Sequence, residues 1–153
     1  MGVEIERKFL VLDTAMLTGR RGVRMRQVYL ARGPATVRVR IAGEQAWLTV
    51  KGPTHGIARA EFEYRIPLSD AHELEQLADT APVDKTRYDI AVGGHVIEVD
   101  VFHGANAPLI VAEIELQRVD EPFITPDWLG MEVTDDPRYR NSCLATLPYS
   151  AWR

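Results

Sequence analysis

Strict two-residue alternation is the feature that most constrains this chain. It recurs in eight segments: EIERKFLV (4–11), RMRQVYLA (24–31), ATVRVRIA (35–42), AWLTVKG (46–52), AEFEYRIP (60–67), VDKTRYDIAV (83–92), HVIEVDVF (95–102) and IVAEIELQ (110–117). Side chains alternate across a strand, so each segment reads as a strand with two distinct faces. One set of faces carries Glu4, Glu6 and Lys8; Arg38 and Arg40; Thr49 and Lys51; Glu61 and Glu63; Lys85 and Arg87; Glu98 and Asp100; Glu113 and Glu115. The residues between them are mostly apolar. Gly93-Gly94 predicts a two-residue hairpin turn, which sets Arg87 opposite Asp100 and Asp89 opposite Glu98. An even turn at 43–44 sets Arg38 opposite Thr49 in the same way. Helical spacing is confined to 68–80, with a Ser/Asp start, to 136–147, which opens on Asp-Pro, and to a short piece within 12–23. Eight strands with short links predict a mainly β fold with a few helices. An eight-stranded antiparallel sheet closing into a barrel is the expected form, because closure removes the edges.

The alternation fits two arrangements. The charged faces can point to solvent, as the polar face of an antiparallel sheet usually does. They can also point inward and line a charged tunnel. Two features favour the second. The charges are sorted by segment, acidic on the first, fifth, seventh and eighth and basic on the third and sixth, and the alternation runs through all eight. Unpaired buried charge is expensive, so such a lumen makes sense when it is wet and binds a ligand of mixed demand. Bases suit a polyanion, and acids suit hard divalent cations. A polyphosphate with Mg²⁺ or Mn²⁺ meets both requirements.

At 153 residues the chain has the length of one domain, taken as 1–153, and 46% apolar residues supply a core. A net charge of −4 argues against a non-specific nucleic-acid binder. Cys143 stands alone, which excludes an intrachain disulfide or thiolate metal site and reads as a small buried thiol. His55, His72, His95 and His103 lack metal-ligand spacing. No apolar run suggests a signal peptide or a membrane span, so a cytoplasmic protein is expected. Two helices cover only part of the barrel's apolar exterior, which makes a homodimer an expectation.

Glu4-Ile5-Glu6-Arg7-Lys8 is followed in order by VRVR (37–40), LTVKG (48–52), EFEY (61–64), KTRY (85–88), EVDVF (98–102), AEIEL (112–116) and WLGMEVTDDPRYRNSCL (128–144). This series resembles the CYTH superfamily, the triphosphate tunnel metalloenzymes, over essentially the whole chain. The resemblance implies a closed barrel that binds a triphosphate with Mg²⁺ or Mn²⁺. By position it implies that Lys8, Arg38, Arg40, Lys51, Lys85 and Arg87 bind phosphates, Lys8 and Lys51 with catalytic roles. It implies that Glu4, Glu6 and Glu115 hold the main metal. Glu61, Glu63, Asp100 and Glu113 would hold a second metal or order water, with Glu63 or Glu113 orienting the nucleophile. The implied activity is metal-dependent hydrolysis of a triphosphate, foremost inorganic tripolyphosphate, since a short chain offers little protein to grip a nucleoside or thiamine. A class IV adenylyl cyclase and a non-catalytic polyphosphate or nucleotide sensor are the alternatives. On 24–31 parity does not choose between Arg24 with Arg26 and Gln27 with Tyr29. Arg59, Arg65, Arg138 and Arg140 are candidate mouth contacts, and Trp47 is expected inward at the rim.

Overall fold

The computed structural model describes residues 2–152. Its strands are β1 (Val3–Val11), β2 (Val23–Arg32), β3 (Thr36–Ala42), β4 (Gln45–Lys51), β5 (Ala58–Ile66), β6 (Val83–Val92), β7 (His95–Phe102), β8 (Ile110–Leu116) and β9 (Leu129–Glu132). The helices are α1 (Leu68–Glu75) and α2 (Asn141–Leu144). The sheet runs β5-β4-β3-β2-β6-β7-β8-β1, and β1 pairs back onto β5. The first eight strands therefore form a closed antiparallel barrel. β9 lies outside that ring. It takes up the edge of β1 at Phe9 and Val11, beyond Val3–Ile5 where β5 pairs.

Two tight turns set the register. Gly43 and Gly93 both take positive φ, 61° and 60°, a conformation that glycine alone adopts cheaply. Ala42 then faces Gln45 and Val92 faces His95. Arg38 falls opposite Thr49, Arg87 opposite Asp100, and Asp89 opposite Glu98, as the turn lengths require.

Much of the apolar core lies outside the barrel wall. Phe9, Ile90, Ile97, Val99, Ala112, Ile114 and Leu116 are buried under Phe123 and Trp128 of the segment that follows β8. Val28, Val39, Ile41 and Ala46 are buried under α1 through Ala71 and Leu74. The inner face turns apolar only at one end. There Val83, Phe102 and Val111 pack against Tyr139, Leu144 and Trp152 of the C-terminal segment. Apolar burial on the outside leaves the interior for charge.

Several local expectations are corrected. The helix expected over 68–80 ends at Glu75, where Gln76 and Leu77 bond to carbonyls three residues back and tighten the chain. Its N-cap is Pro67, without a side-chain cap. The 136–147 segment is not one helix. A 3₁₀ turn at Pro137–Tyr139, capped by Asp136, gives way to extended Arg140 and then to the four residues of α2. The short helical piece expected within 12–23 is present as a 3₁₀ turn at Ala15–Leu17. Cys143 is half-buried rather than fully enclosed. Among the described residues, no helix is long and apolar enough to cross a membrane.

Candidate active site

The alternation places a polar stripe of each barrel strand on the inner face. A cavity of about 220 Å³ lies among them. Glu4, Glu6, Glu61, Glu63, Glu98, Glu113 and Glu115 line it with Lys8, Arg38, Arg40, Arg59, Lys51, Lys85, Arg87 and Arg140. Eight cationic groups thus face seven carboxyls, so the cavity leans positive within a chain that is negative overall.

The charges are arranged as pairs. Lys51 Nζ donates to both Glu4 oxygens at 3.0 and 3.2 Å and lies 3.4 Å from Glu61. Lys8 Nζ donates to Glu113 at 3.2 Å and stands 3.7 Å from Glu6. Arg38 Nη2 donates to Thr49 Oγ1 and to Glu63, and Thr49 Oγ1 donates to the same Glu63 oxygen at 2.9 Å. Arg40 Nε donates to Gln27 Oε1 at 2.9 Å, and Gln27 Nε2 donates to Tyr29 Oη at 2.9 Å. Gln27 and Tyr29 are therefore the inward pair of β2. Arg24 and Arg26 lie outside, in bidentate pairs with Asp84 and Glu75.

Asp100 is fully buried and does not line the cavity. It accepts from Lys85 Nζ at 2.7 Å and from Arg87 Nε and Nη2 at 2.7 and 2.8 Å. Lys85 also donates to Asn141 Oδ1 at 3.0 Å, which ties the C-terminal segment to the barrel. Arg87 reaches on to Glu98 at 3.1 Å and Glu113 at 3.5 Å.

Crowding shifts the titrating groups. Burial and the neighbouring Glu113 push the Glu6 carboxyl up to about 8. Burial would raise Glu113 as well, but Lys8 and Arg87 hold it well below the usual carboxylate range. Burial also works against ionised Glu4, and Lys51 overrides it, leaving Glu4 below its ordinary value. Burial and the nearby Arg38 and Arg87 guanidiniums pull Arg40 down to about 10, still cationic at neutral pH. Burial, then Glu4, raises both Glu61 and Glu115.

Residues 2–141 match the CYTH domain family. The chain belongs to the CYTH family. Its relatives include an inorganic triphosphatase of Acetivibrio thermocellus, 44% identical and covering 100% of this chain and 99% of that protein. An inorganic triphosphatase of Nitrosomonas europaea is 37% identical, covering 93% and 96%. A crystal structure of an inorganic triphosphatase superposes with a TM-score of 0.69 at 35% identity, covering 97% of this chain and 98% of that one.

The CYTH strands do not account for the whole lining. Thr54, Gly56 and Ile57 come from the β4–β5 loop, Thr134 from beyond β9, and Arg140, Asn141 and Ser142 from the C-terminal segment. Loops carry no periodic signal, so only Arg140 was visible as a candidate, by its charge. Of the other mouth candidates, Arg59 lines the cavity, whereas Arg65 stands over the Trp47 ring, 5.9 Å from its centroid. Trp47 itself is partly exposed and off the cavity lining. Arg138 pairs with Asp136 at 2.7 Å and lies over Trp152.

The CYTH carboxyls suit a divalent cation by chemistry. They offer oxygen donors, the preference of Mg²⁺ and Mn²⁺, and the buried Glu6 carboxyl beside Glu113 is a place where added positive charge is welcome. Among the described residues, no three side chains of ligating type are already gathered for a metal. Glu4, Glu6, Glu61, Glu63, Glu98 and Glu113 are instead engaged with ammonium and guanidinium groups.

Proposed function

We propose that this chain hydrolyses inorganic tripolyphosphate within the barrel, aided by Mg²⁺ or Mn²⁺. The observation that carries the reading is the single cavity in which seven carboxyls and eight cations converge. Near-full-length relatives named for that activity support it. The cavity lining includes one aromatic ring, Tyr29, which leaves little surface on which a nucleobase could stack and favours an inorganic substrate over a nucleotide.

In this reading Lys8, Arg38, Arg40, Lys51, Lys85 and Arg87 grip the phosphoryl oxygens, the guanidiniums by bidentate contact. Among the described residues Arg40 meets no carboxylate, only the neutral Gln27 amide, and so offers its whole charge to substrate. Asp100 acts as a positioning group that fixes Lys85 and Arg87 in the wall. Glu4, Glu6 and Glu115 would hold the main cation, with Glu61 and Glu113 beside them. The cation, when bound, supplies charge neutralisation on the transferring phosphoryl group. Glu63 is the most exposed of the carboxylates paired with the cavity's cations, at 43%, and is fixed by Thr49 and Arg38. It orients a water in line with the terminal phosphorus and takes the water's proton. The water oxygen bonds to that phosphorus as the bridging P–O bond breaks, giving orthophosphate and pyrophosphate.

A phosphate-release panel over tripolyphosphate, pyrophosphate, ATP and thiamine triphosphate, with Mg²⁺ and Mn²⁺, tests this. Tripolyphosphate is expected to be turned over fastest. A faster release from ATP or thiamine triphosphate would overturn the substrate assignment, and cyclic AMP formed from ATP would overturn the hydrolytic one.

A further inference from the structure

Gln27 is fully buried among ions, and its side-chain amide is committed at both ends. It lies opposite Arg40 of β3 on one side and opposite Val83 of β6 on the other. Val83 belongs to the apolar end packed by the C-terminal segment. The amide therefore stands where the lumen passes from apolar to charged. Tyr29, next along the same face of β2, lies opposite Arg38 and lines the cavity.

Chemistry fixes the direction of hydrogen bonding through this group. A guanidinium has no acceptor atom, so the Arg40 Nε–H, at 2.9 Å, must meet the amide oxygen. The amide NH₂ is thereby turned to Tyr29 Oη, also at 2.9 Å, and the phenol oxygen has to accept. The phenol's own proton is left over. Among the described residues, no other hydrogen bond reaches Tyr29 Oη, although the residue is only 3% exposed. A buried hydroxyl proton without an acceptor is unfavourable, and the cavity is the side from which an acceptor can come. Each bond in the series from Arg40 to Gln27 to Tyr29 polarises the next in the same sense, which strengthens the last donor. Gln27 takes only the Nε edge of Arg40, so both Nη groups remain for an anion met end-on.

An acid at this position would do the reverse. A carboxylate accepts from both neighbours. Held ionised by Arg40, it would neutralise that guanidinium and draw the Tyr29 proton away from the cavity. Lys8, Arg38, Lys51, Lys85 and Arg87 each meet a carboxylate at between 2.7 and 3.3 Å. Gln27 instead holds Arg40 without cancelling its charge. We propose that Gln27 is a positioning residue that presents Arg40 end-on to substrate and sets the Tyr29 hydroxyl as a hydrogen-bond donor to a phosphoryl oxygen. The ligand rests on the proposed function, but the role of the amide is testable without turnover.

The test is calorimetric binding of tripolyphosphate in EDTA, with thermal unfolding alongside. Gln27→Glu keeps an acceptor for Arg40 and a partner for Tyr29, so a merely structural role survives it. The variant is expected to melt near wild type yet bind tripolyphosphate about tenfold more weakly, or worse. Tyr29→Phe is expected to weaken binding about tenfold in the wild-type background. In the Gln27→Glu background, where the hydroxyl already points away, the same change should cost less than about twofold. Unchanged binding in Gln27→Glu overturns the proposal. So does an equal loss from Tyr29→Phe in both backgrounds, which would leave the charge of the acid as the whole effect. Should Gln27→Glu not fold, Gln27→Met carries the reading. Arg40→Lys is then expected to weaken binding at least about threefold less than it does in wild type, and equal losses overturn the positioning of Arg40. A wild-type protein that binds no tripolyphosphate would overturn the ligand reading and this assignment together. Binding without phosphate release under Mg²⁺ or Mn²⁺ would end the hydrolytic function alone and leave Gln27 in its role.

Discussion

Asp100→Asn separates two roles that a buried carboxylate in this barrel can have. If Asp100 is a positioning group, its removal strips the partner from a fully buried ammonium and loosens Arg87 as well. Three bonds of 2.7–2.8 Å are at stake. Breaking a buried ion pair from one side costs about 3–5 kcal/mol, because the remaining charge has lost its compensation. Asparagine keeps one acceptor oxygen, so the lower end, about 3 kcal/mol, applies. For a chain of this size that is a fall in Tm of roughly 6–12 °C. The assay is thermal unfolding in EDTA, so that no metal contributes. The sign of the pH dependence gives a second check. Burial already pulls Lys85 below its ordinary value, and losing Asp100 lowers it further. A lysine lowered in the folded state binds fewer protons there than in the unfolded chain. Stability then rises with pH between the folded and the unfolded pKa. Wild type shares that slope once its own Lys85 has lost the proton, so the variant's deficit should shrink as pH rises to about 7 and change little above it. A metal-free variant melting within about 2 °C of wild type, less than 1 kcal/mol for this size, would refute the reasoning.

Other outcomes follow from the same geometry. Glu6→Gln or Arg40→Ala is expected to lower turnover at least about tenfold, about 1.4 kcal/mol of barrier; wild-type rates in both would remove the assigned site. Because the Glu6 carboxyl sits near 8, a cation that binds there below that pH must displace a proton. Apparent Mg²⁺ affinity should rise with pH and level off above about 8, and calorimetry in buffers of different ionisation enthalpy should show proton release that Glu6→Gln abolishes. Gly93→Val puts a Cβ 2.7 Å from Ile124 at a positive φ, a strain of order 1–3 kcal/mol. Chemical denaturation should show that loss, with the cavity chemistry unaffected.

The barrel was legible because its code is the alternation itself. Once Gly93-Gly94 fixed one hairpin, the facing of Arg87 and Asp100 followed from counting, and the structure has that register. The inward pair of β2 was not legible. Both parities carry polar groups, and the choice is made by Asp84 and Glu75 on other elements, which capture Arg24 and Arg26 outside. Strand β9 escaped notice because four residues are too few for a period. Its one signal is Gly130, where a Cβ would lie 3.0 Å from the Leu10 carbonyl. The break at Arg140 within the expected C-terminal helix depends on Tyr139 and Leu144 docking on the barrel end, a tertiary demand that local sequence does not encode. In the site, sequence identified the charged residues but not their pairing. Asp100 shares its face and its parity with Glu98, yet only Glu98 lines the cavity.

The most direct test of the central claim is a crystal structure with tripolyphosphate and Mn²⁺ bound, read by anomalous scattering. The account predicts a phosphate chain inside the barrel touching Arg38, Arg40, Lys85 and Arg87, with a manganese peak beside Glu4 and Glu6. A phosphate chain bound on the outer surface, or a manganese peak remote from those two carboxylates, would contradict it.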